Sequence, residues 1–236
     1  MKVQDRFSIV LVEPRYDGNI GSVARVMKNF GFNKLVLVRP PKIGSEARKN
    51  SMHAMEILGK SDVYKSFGEA IEDFDFVVGT TAKVAGDGNK LRTPVYVEEL
   101  SVALDTKGKI ALVFGREDYG LLNEELELCD MLVTIPANYE YPTLNLAHSV
   151  GIVLYEVSRQ ANKETNKKKK FRMLSKIEKD TLLRFYDGFV EKMLDYDFEI
   201  NLAKRTFRSI VGRAFISGRE AKTMTGVFRR GKEKAK

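Results

Sequence analysis

The chain has 236 residues, 43% of them hydrophobic, enough for one large domain or a medium domain beside a small one. Its formal net charge of +8 is unevenly spread: residues 163–236 hold 21 Lys+Arg against 10 Asp+Glu, a net +11, and residues 1–162 carry −3. This composition excludes wholesale disorder, no apolar run nears the ~18 residues a membrane helix needs, and the charge split suggests a catalytic body joined to a polyanion-binding arm.

From the amino end, MKVQDRFSIVLVEP lacks the shape of a signal peptide, and Phe7–Val12 reads as a strand. Leu35–Val38, Phe76–Val78, Ile110–Phe114 and Leu132–Ile135 have the same character. All are rich in Val, Ile, Leu or Phe without strict alternation, the pattern of strands buried on both faces of a parallel α/β sheet. Helical patterns lie between them at Ile20–Phe30, Ala47–Leu58, Phe67–Phe74, Glu98–Leu104 and Glu124–Leu128. Ser66 and Glu69 form a capping box for the third. Leu146–Ala161 reads as a long closing helix with Val150, Val153, Leu154 and Val157 on one face, and that face is expected to need a partner.

The composition then shifts to Asn162–Lys170, NKETNKKKK. Three helical patterns follow, Lys176–Leu194, Leu202–Val211 and Arg219–Arg230, with capping boxes Ser175/Glu178 and Ser217/Glu220. The expected organisation is an α/β domain over 1–162, a basic linker over 163–174 and a helical extension over 175–236. The lone Cys129 can form no internal disulfide, so a reducing, cytoplasmic setting is expected. His53 and His148 stand far apart without cysteine partners, so no metal site is expected.

No G-x-G-x-x-G follows the first strand, and no Walker sequence occurs. Three polar clusters at strand ends remain: Asn19–Arg25, Gly115–Leu121 and Pro136–Ala147. Each alone fits a structural part. Asn19 could cap a helix, the glycine loop could be an ordinary turn, and Thr143 or Asn145 could cap the long helix. Three such clusters at the carboxyl ends of parallel strands mark the edge where open α/β sheets bind ligands.

The segments IVLVEPRYDGNIGSVARVMKNFG, LVFGREDYGLLNEELELCD and TIPANYEYPTLNLAHSVGIVLYEV resemble, in order, the three motifs of the TrmH branch of the SPOUT methyltransferases, and most of all its TrmJ members. The resemblance covers about residues 6–160, with a looser likeness of the helical tail to a tRNA-binding extension. It implies a trefoil-knotted α/β domain, a homodimer, S-adenosylmethionine as cofactor, and 2′-O-methylation of the ribose of the first anticodon-loop nucleotide of tRNA, cytidine or uridine. A noncatalytic RNA-binding protein of this fold and a ribosomal RNA methyltransferase stay open as alternatives.

Carried over residue by residue, the resemblance places the cofactor against Thr80, Thr81, Ala82, Gly115, Glu117, Ile135, Pro142, Thr143 and Leu144. The family often has serine at 142 and 143; Thr143 keeps a hydroxyl, and Pro142 has no N–H to donate. The implied catalytic set is Arg25, Asn19, Thr143 and Asn145. A guanidinium stays protonated, so Arg25 is better suited to gripping phosphate and stabilising charge on the 2′ oxygen than to abstracting a proton. Arg25 also belongs to the expected RNA-binding set. The other members are Arg116, Lys167, Lys168, Lys169, Lys170, Arg205, Arg208, Arg213, Arg219, Arg229 and Arg230.

Overall fold

The computed structural model describes residues 3–82, 94–164, 174–214 and 216–234. Its centre is a sheet of seven strands: β1 (Phe7–Val12), β2 (Lys34–Val38), β3 (Asp62–Tyr64), β4 (Phe76–Thr80), β5 (Val95–Tyr96), β6 (Ile110–Phe114) and β7 (Met131–Thr134). They lie in the order β3-β2-β1-β6-β4-β7-β5, and every pairing is parallel. The five expected strands are present within two residues at each end. The two unexpected ones, β3 and β5, have only three and two residues, too short to show an apolar run.

β1 and β6 are buried along their whole length, as strands covered on both faces must be. Phe7, Ile9 and Leu11 point to one layer with Ile110, Leu112 and Phe114. Val10, Val12, Ala111 and Val113 point to the other. The first layer packs under α1 (Asp17–Phe30) and α7 (Leu146–Glu164). The second is covered by α4 (Phe67–Ile71) and α6 (Asn123–Glu127). α2 (Ser45–Ser51), α3 (Met55–Gly59) and α5 (Ser101–Asp105) complete the α/β unit.

Three expectations need correction. The pattern over Ala47–Leu58 is not one helix. Met52 takes a left-handed backbone, φ +48, and breaks it into α2, a 3₁₀ turn and α3. α1 begins at Asp17, so Asn19 lies inside its first turn and leaves capping of that helix to others. The apolar face of α7 needs no outside partner: Val150, Val153, Leu154 and Val157 are fully buried against the chain's own core. α7 leaves Ile152 and Tyr155 exposed instead, with Tyr155 edge-on to Phe30 of α1 at 6.4 Å. α7 also runs on to Glu164, past the expected boundary at 162.

The helical extension is α8 (Lys176–Met193), α9 (Asp197–Arg213) and α10 (Gly218–Lys234). Both expected capping boxes form: Ser175 Oγ accepts from the Glu178 N–H and Ser217 Oγ from the Glu220 N–H, and each glutamate reaches back to its serine. A small core of its own holds the three helices together, with Tyr186 stacked on Phe207 at 3.9 Å and Phe228 edge-on to both.

This extension is not a loose tail. Lys179 is buried, pairs with the Asp130 carboxylate at 2.9 Å and donates to the Asp75 carbonyl at 2.8 Å. Arg205 pairs with Glu127 at 2.8 Å. Asp75 and Asp130 immediately precede β4 and β7, so the extension docks at the amino ends of the strands. Gly212 abuts the Asp130 carbonyl so closely that a Cβ there would overlap it. Gly212→Ala is therefore expected to cost about 1–3 kcal/mol through overpacking. It should also speed hydrogen exchange in α8 and α9 while leaving β1 and β6 protected. Equal exchange in both chains would show that the contact yields without consequence.

Among the described residues no helix is long and apolar enough to cross a membrane.

Candidate active site

The carboxyl ends of β4, β6 and β7 open onto one cleft of about 190 Å³. Each strand delivers a loop to it. β4 brings Thr80, Thr81 and Ala82, β6 brings Gly115 to Leu121, and β7 brings Ile135 and, farther along, Pro142, Thr143 and Leu144. All nine residues expected to hold a cofactor line this cleft. Its body is apolar, built by Phe114, Leu121, Leu126, Val133 and Leu146. Thr80 Oγ1 donates to the Val113 carbonyl at 3.0 Å and locks β4 to β6 at the floor.

The β6 loop closes on itself: Arg116 and Gly120 exchange backbone hydrogen bonds at 3.2 and 2.9 Å. A Cβ on Gly115 would overlap the backbone of Gly120 and Leu121, so only glycine lets the loop fold this tightly. Glu117 then faces α1. Its carboxylate accepts from Asn19 Nδ2 at 2.7 Å and from the Arg15 N–H at 2.8 Å. Asn145 Nδ2 donates to Asn19 Oδ1 at 3.3 Å. The Asn145 carboxamide oxygen meanwhile accepts from the Ala147 and His148 N–H groups, capping α7. Asn19, Glu117 and Asn145, distant in sequence, thus form one chain of hydrogen bonds. Beside it runs a second groove of about 690 Å³ that shares Glu117, Thr143 and Leu144 with the cleft and adds Tyr16, Glu46, Asn50 and Tyr141.

Arg116 is not the RNA contact that the sequence suggests. Its side chain is 5% exposed, forks onto Glu125 with two 2.9 Å bonds, and gives Nε to Glu13 at 2.7 Å. Glu13 also pairs with Arg39. The buried guanidinium has its charge matched by two carboxylates, which leaves it poorly placed to take a phosphate. Hydrogen bonding to Glu125, reinforced by Glu13, outweighs burial and keeps Arg116 protonated. The same bond from Arg116 holds the Glu13 carboxyl below its usual range. The sequence reading missed Glu13 and Glu125. The only signal for them was a charged residue at the end of an apolar strand and another in a helix that looked solvated.

Arg25 lies outside both cavities of its own chain. It is exposed on α1, and among the described residues no carboxylate pairs with it. On the extension, Arg213, Arg219, Arg229 and Arg230 are exposed, Arg208 is half-buried and Arg205 is tied to Glu127. Lys167–Lys170 fall outside the described residues. Cys129 is buried under β4, which pushes its thiol well above the ordinary range and leaves it inert.

The model of the SpoU rRNA methylase family matches residues 6–155. The tRNA (cytidine-2′-O-)-methyltransferase TrmJ of Methanocaldococcus jannaschii is 43% identical over 225 residues, covering 94% of this chain and 98% of its own. The tRNA (cytidine/uridine/adenosine-2′-O-)-methyltransferase TrmJ of Pseudomonas aeruginosa is 34% identical over 239 residues, covering 95% and 93%. Among solved structures, TrmJ from Z. mobilis superposes with a TM-score of 0.67 at 27% identity, covering 94% of this chain and 97% of that one. A probable methylase family protein from Haemophilus influenzae superposes at 0.66 with 31% identity, covering 98% and 97%.

Proposed function

This chain belongs to the SpoU rRNA methylase family, and from that premise we propose that it is a tRNA ribose 2′-O-methyltransferase that uses S-adenosylmethionine. The observation that carries the reading is the cleft at the carboxyl ends of β4, β6 and β7, joined through Glu117 to Asn19 and Asn145. The donor set suits the cofactor. An apolar body would take the adenosyl part, and Thr143 and Ser149 offer hydroxyls. The charge of Arg116 is cancelled, and Glu117 and Asp118 stay at the rim, which favours a sulfonium cation over an anion. When bound, S-adenosylmethionine supplies an electrophilic methyl group.

The residues of the chain would do the rest. Asn19 and Asn145, fixed by Glu117, would orient the ribose so that its 2′ oxygen lies in line with the methyl group, and much of the acceleration would come from that alignment. Arg25, supplied by a second copy across the exposed α1/α7 face, would hold the adjacent phosphate and stabilise charge on the 2′ oxygen. The loops after β6 and β7 would then belong to the trefoil knot that the family resemblance implies. The target is the first nucleotide of the anticodon loop, and the enzyme works in the cytoplasm as a homodimer.

Calorimetry with S-adenosylmethionine followed by labelled-methyl transfer to tRNA tests this reading. Cofactor binding with transfer to a 2′ oxygen of the anticodon loop is expected. Binding of RNA without cofactor binding would favour a noncatalytic protein, and transfer only to ribosomal RNA would reassign the substrate.

The extension stands at the other end of the sheet from the cleft, about 17 Å away over the five residues of β4. An RNA touching both must span at least that distance, which a tRNA does. Arg229→Gln with Arg230→Gln is expected to weaken tRNA binding roughly tenfold near physiological salt. It should make the log–log salt dependence shallower by about 1.4 to 1.8, the loss of two phosphate contacts. Identical slopes for the two proteins would place the phosphates elsewhere.

A further inference from the structure

The groove beside the cleft adds residues that the methyl-transfer reading does not use, Tyr16, Tyr141, Glu46 and Asn50. Tyr16 and Tyr141 line it and are 54% and 78% exposed. Two large rings left in water at the mouth of a site are a standing cost unless something covers them. Tyr16 has the Arg15 guanidinium 5.8 Å from its ring centroid, which biases the ring toward one orientation. Tyr141 rides on the loop that carries Thr143 and Asn145. Among the described residues no lysine or arginine lines the groove, and two carboxylates, Glu46 and Glu117, do. Such a surface repels phosphate. It matches an uncharged, flat, hydrogen-bonding group.

Glu117 is occupied by Asn19 and Arg15, as described above. Glu46 is exposed on the first turn of α2, and among the described residues no cation pairs with it. Asn50 also lines the groove, and its Nδ2 donates to the Gly18 carbonyl at 3.0 Å.

We infer that this groove is the seat of the target nucleobase, with Tyr16 and Tyr141 as stacking partners and Glu46 as the acceptor for an exocyclic amino group. Single-stranded bases stack on aromatic side chains irrespective of sequence, so the tyrosines supply affinity. A carboxylate accepts from the N4 amino group of cytosine and faces the O4 carbonyl of uracil oxygen to oxygen, so Glu46 supplies discrimination in favour of cytidine. The inference rests on the proposed RNA methyltransferase reading and adds which groups choose the base.

The test compares two tRNA transcripts that differ only in having cytidine or uridine at the first anticodon-loop nucleotide. Wild-type protein should prefer the cytidine transcript. Glu46→Gln should cut the cytidine-to-uridine ratio of kcat/KM by about tenfold, because an amide can also donate to O4. Tyr141→Ala should raise KM for both transcripts by roughly tenfold with the ratio unchanged, and Tyr141→Phe should restore it, since stacking needs the ring and not the hydroxyl. S-adenosylmethionine affinity should be the same in all four proteins. An unchanged ratio in both Glu46→Gln and Glu46→Ala, with wild-type transfer intact, overturns the inference and leaves the enzyme reading standing. A change in sedimentation of the Glu46 and Tyr141 variants without a change in base preference or KM overturns it too, and gives the groove to a protein contact. Failure of the wild type to methylate any RNA would sink both.

Discussion

Arg116→Met is expected to lower folding stability by about 3–5 kcal/mol, because it removes one partner from a buried ion cluster and strands the others. The cluster ties together the carboxyl ends of three adjacent strands and the helix α6. Glu13 follows β1, Arg39 follows β2, Arg116 lies in the β6 loop and Glu125 sits in α6. Glu13 and Arg39 both hold left-handed backbones, φ +46 and +45, a conformation that costs non-glycine residues about 1–3 kcal/mol each and persists only under outside restraint. Lysine at 116 should recover only part of the loss, since one ammonium cannot fork onto Glu125 and reach Glu13 as well. Urea unfolding across pH gives a second readout. The Glu13 carboxyl is held below its ordinary value by Arg116, so its share of stability is present above pH ~4.5 and is lost as pH falls through the lowered value. The gap between wild type and Arg116→Met should therefore narrow in acid. A gap of under 1 kcal/mol at neutral pH would mean that the cluster is ornamental.

The buried strands were legible because burial on both faces leaves them almost wholly apolar, with only Ser8 polar in FSIVLV and nothing polar in IALVF. The capping boxes were legible because their chemistry is local, a serine and a glutamate three residues apart. Nonlocal pairings were not. Nothing in GRED says that its arginine turns inward to a glutamate nine residues on and another 103 residues back, and a charged loop residue beside a suspected RNA site reads naturally as a phosphate ligand. The helical tail failed in a similar way. Its charge marks it as basic, but the buried lysine that anchors it, Lys179, has the same composition signature as the exposed ones. The nine residues expected to hold a cofactor meet at one cleft for a different reason. They sit in the loops after three strands, so naming the strands correctly nearly names the cleft.

Arg25→Ala is expected to cut methyl transfer by about a hundredfold or more, the usual cost of removing one preorganised charge donor, with S-adenosylmethionine affinity unchanged. The geometry of α1 makes this a test of assembly as well as chemistry. Asn19 and Arg25 are six residues apart on one helix, about 9 Å along its axis and roughly 120° around it. Asn19 faces Glu117 and the cleft, so Arg25 is turned away from the cleft and is exposed on α1. Among the described residues the arginines at the cleft are both paired, Arg116 with Glu125 and Glu13 and Arg15 with Asp118 at the rim. A second copy set against the same face, with Ile152 and Tyr155 at its centre, would return the missing cation. In such a dimer each site takes Arg25 from one chain and the cofactor cleft from the other. Arg25→Ala and Thr143→Arg should then each be inactive alone. Mixed in equal amounts and allowed to exchange, they should recover about a quarter of wild-type activity, because half the dimers would be mixed and each would carry one intact site. Arg25→Lys should stay well below wild type, since it keeps the charge and loses the fork that grips two phosphate oxygens. Full activity in a monomer, or no recovery from mixed dimers whose exchange is verified, would require an arginine from the same chain and a different path for the RNA.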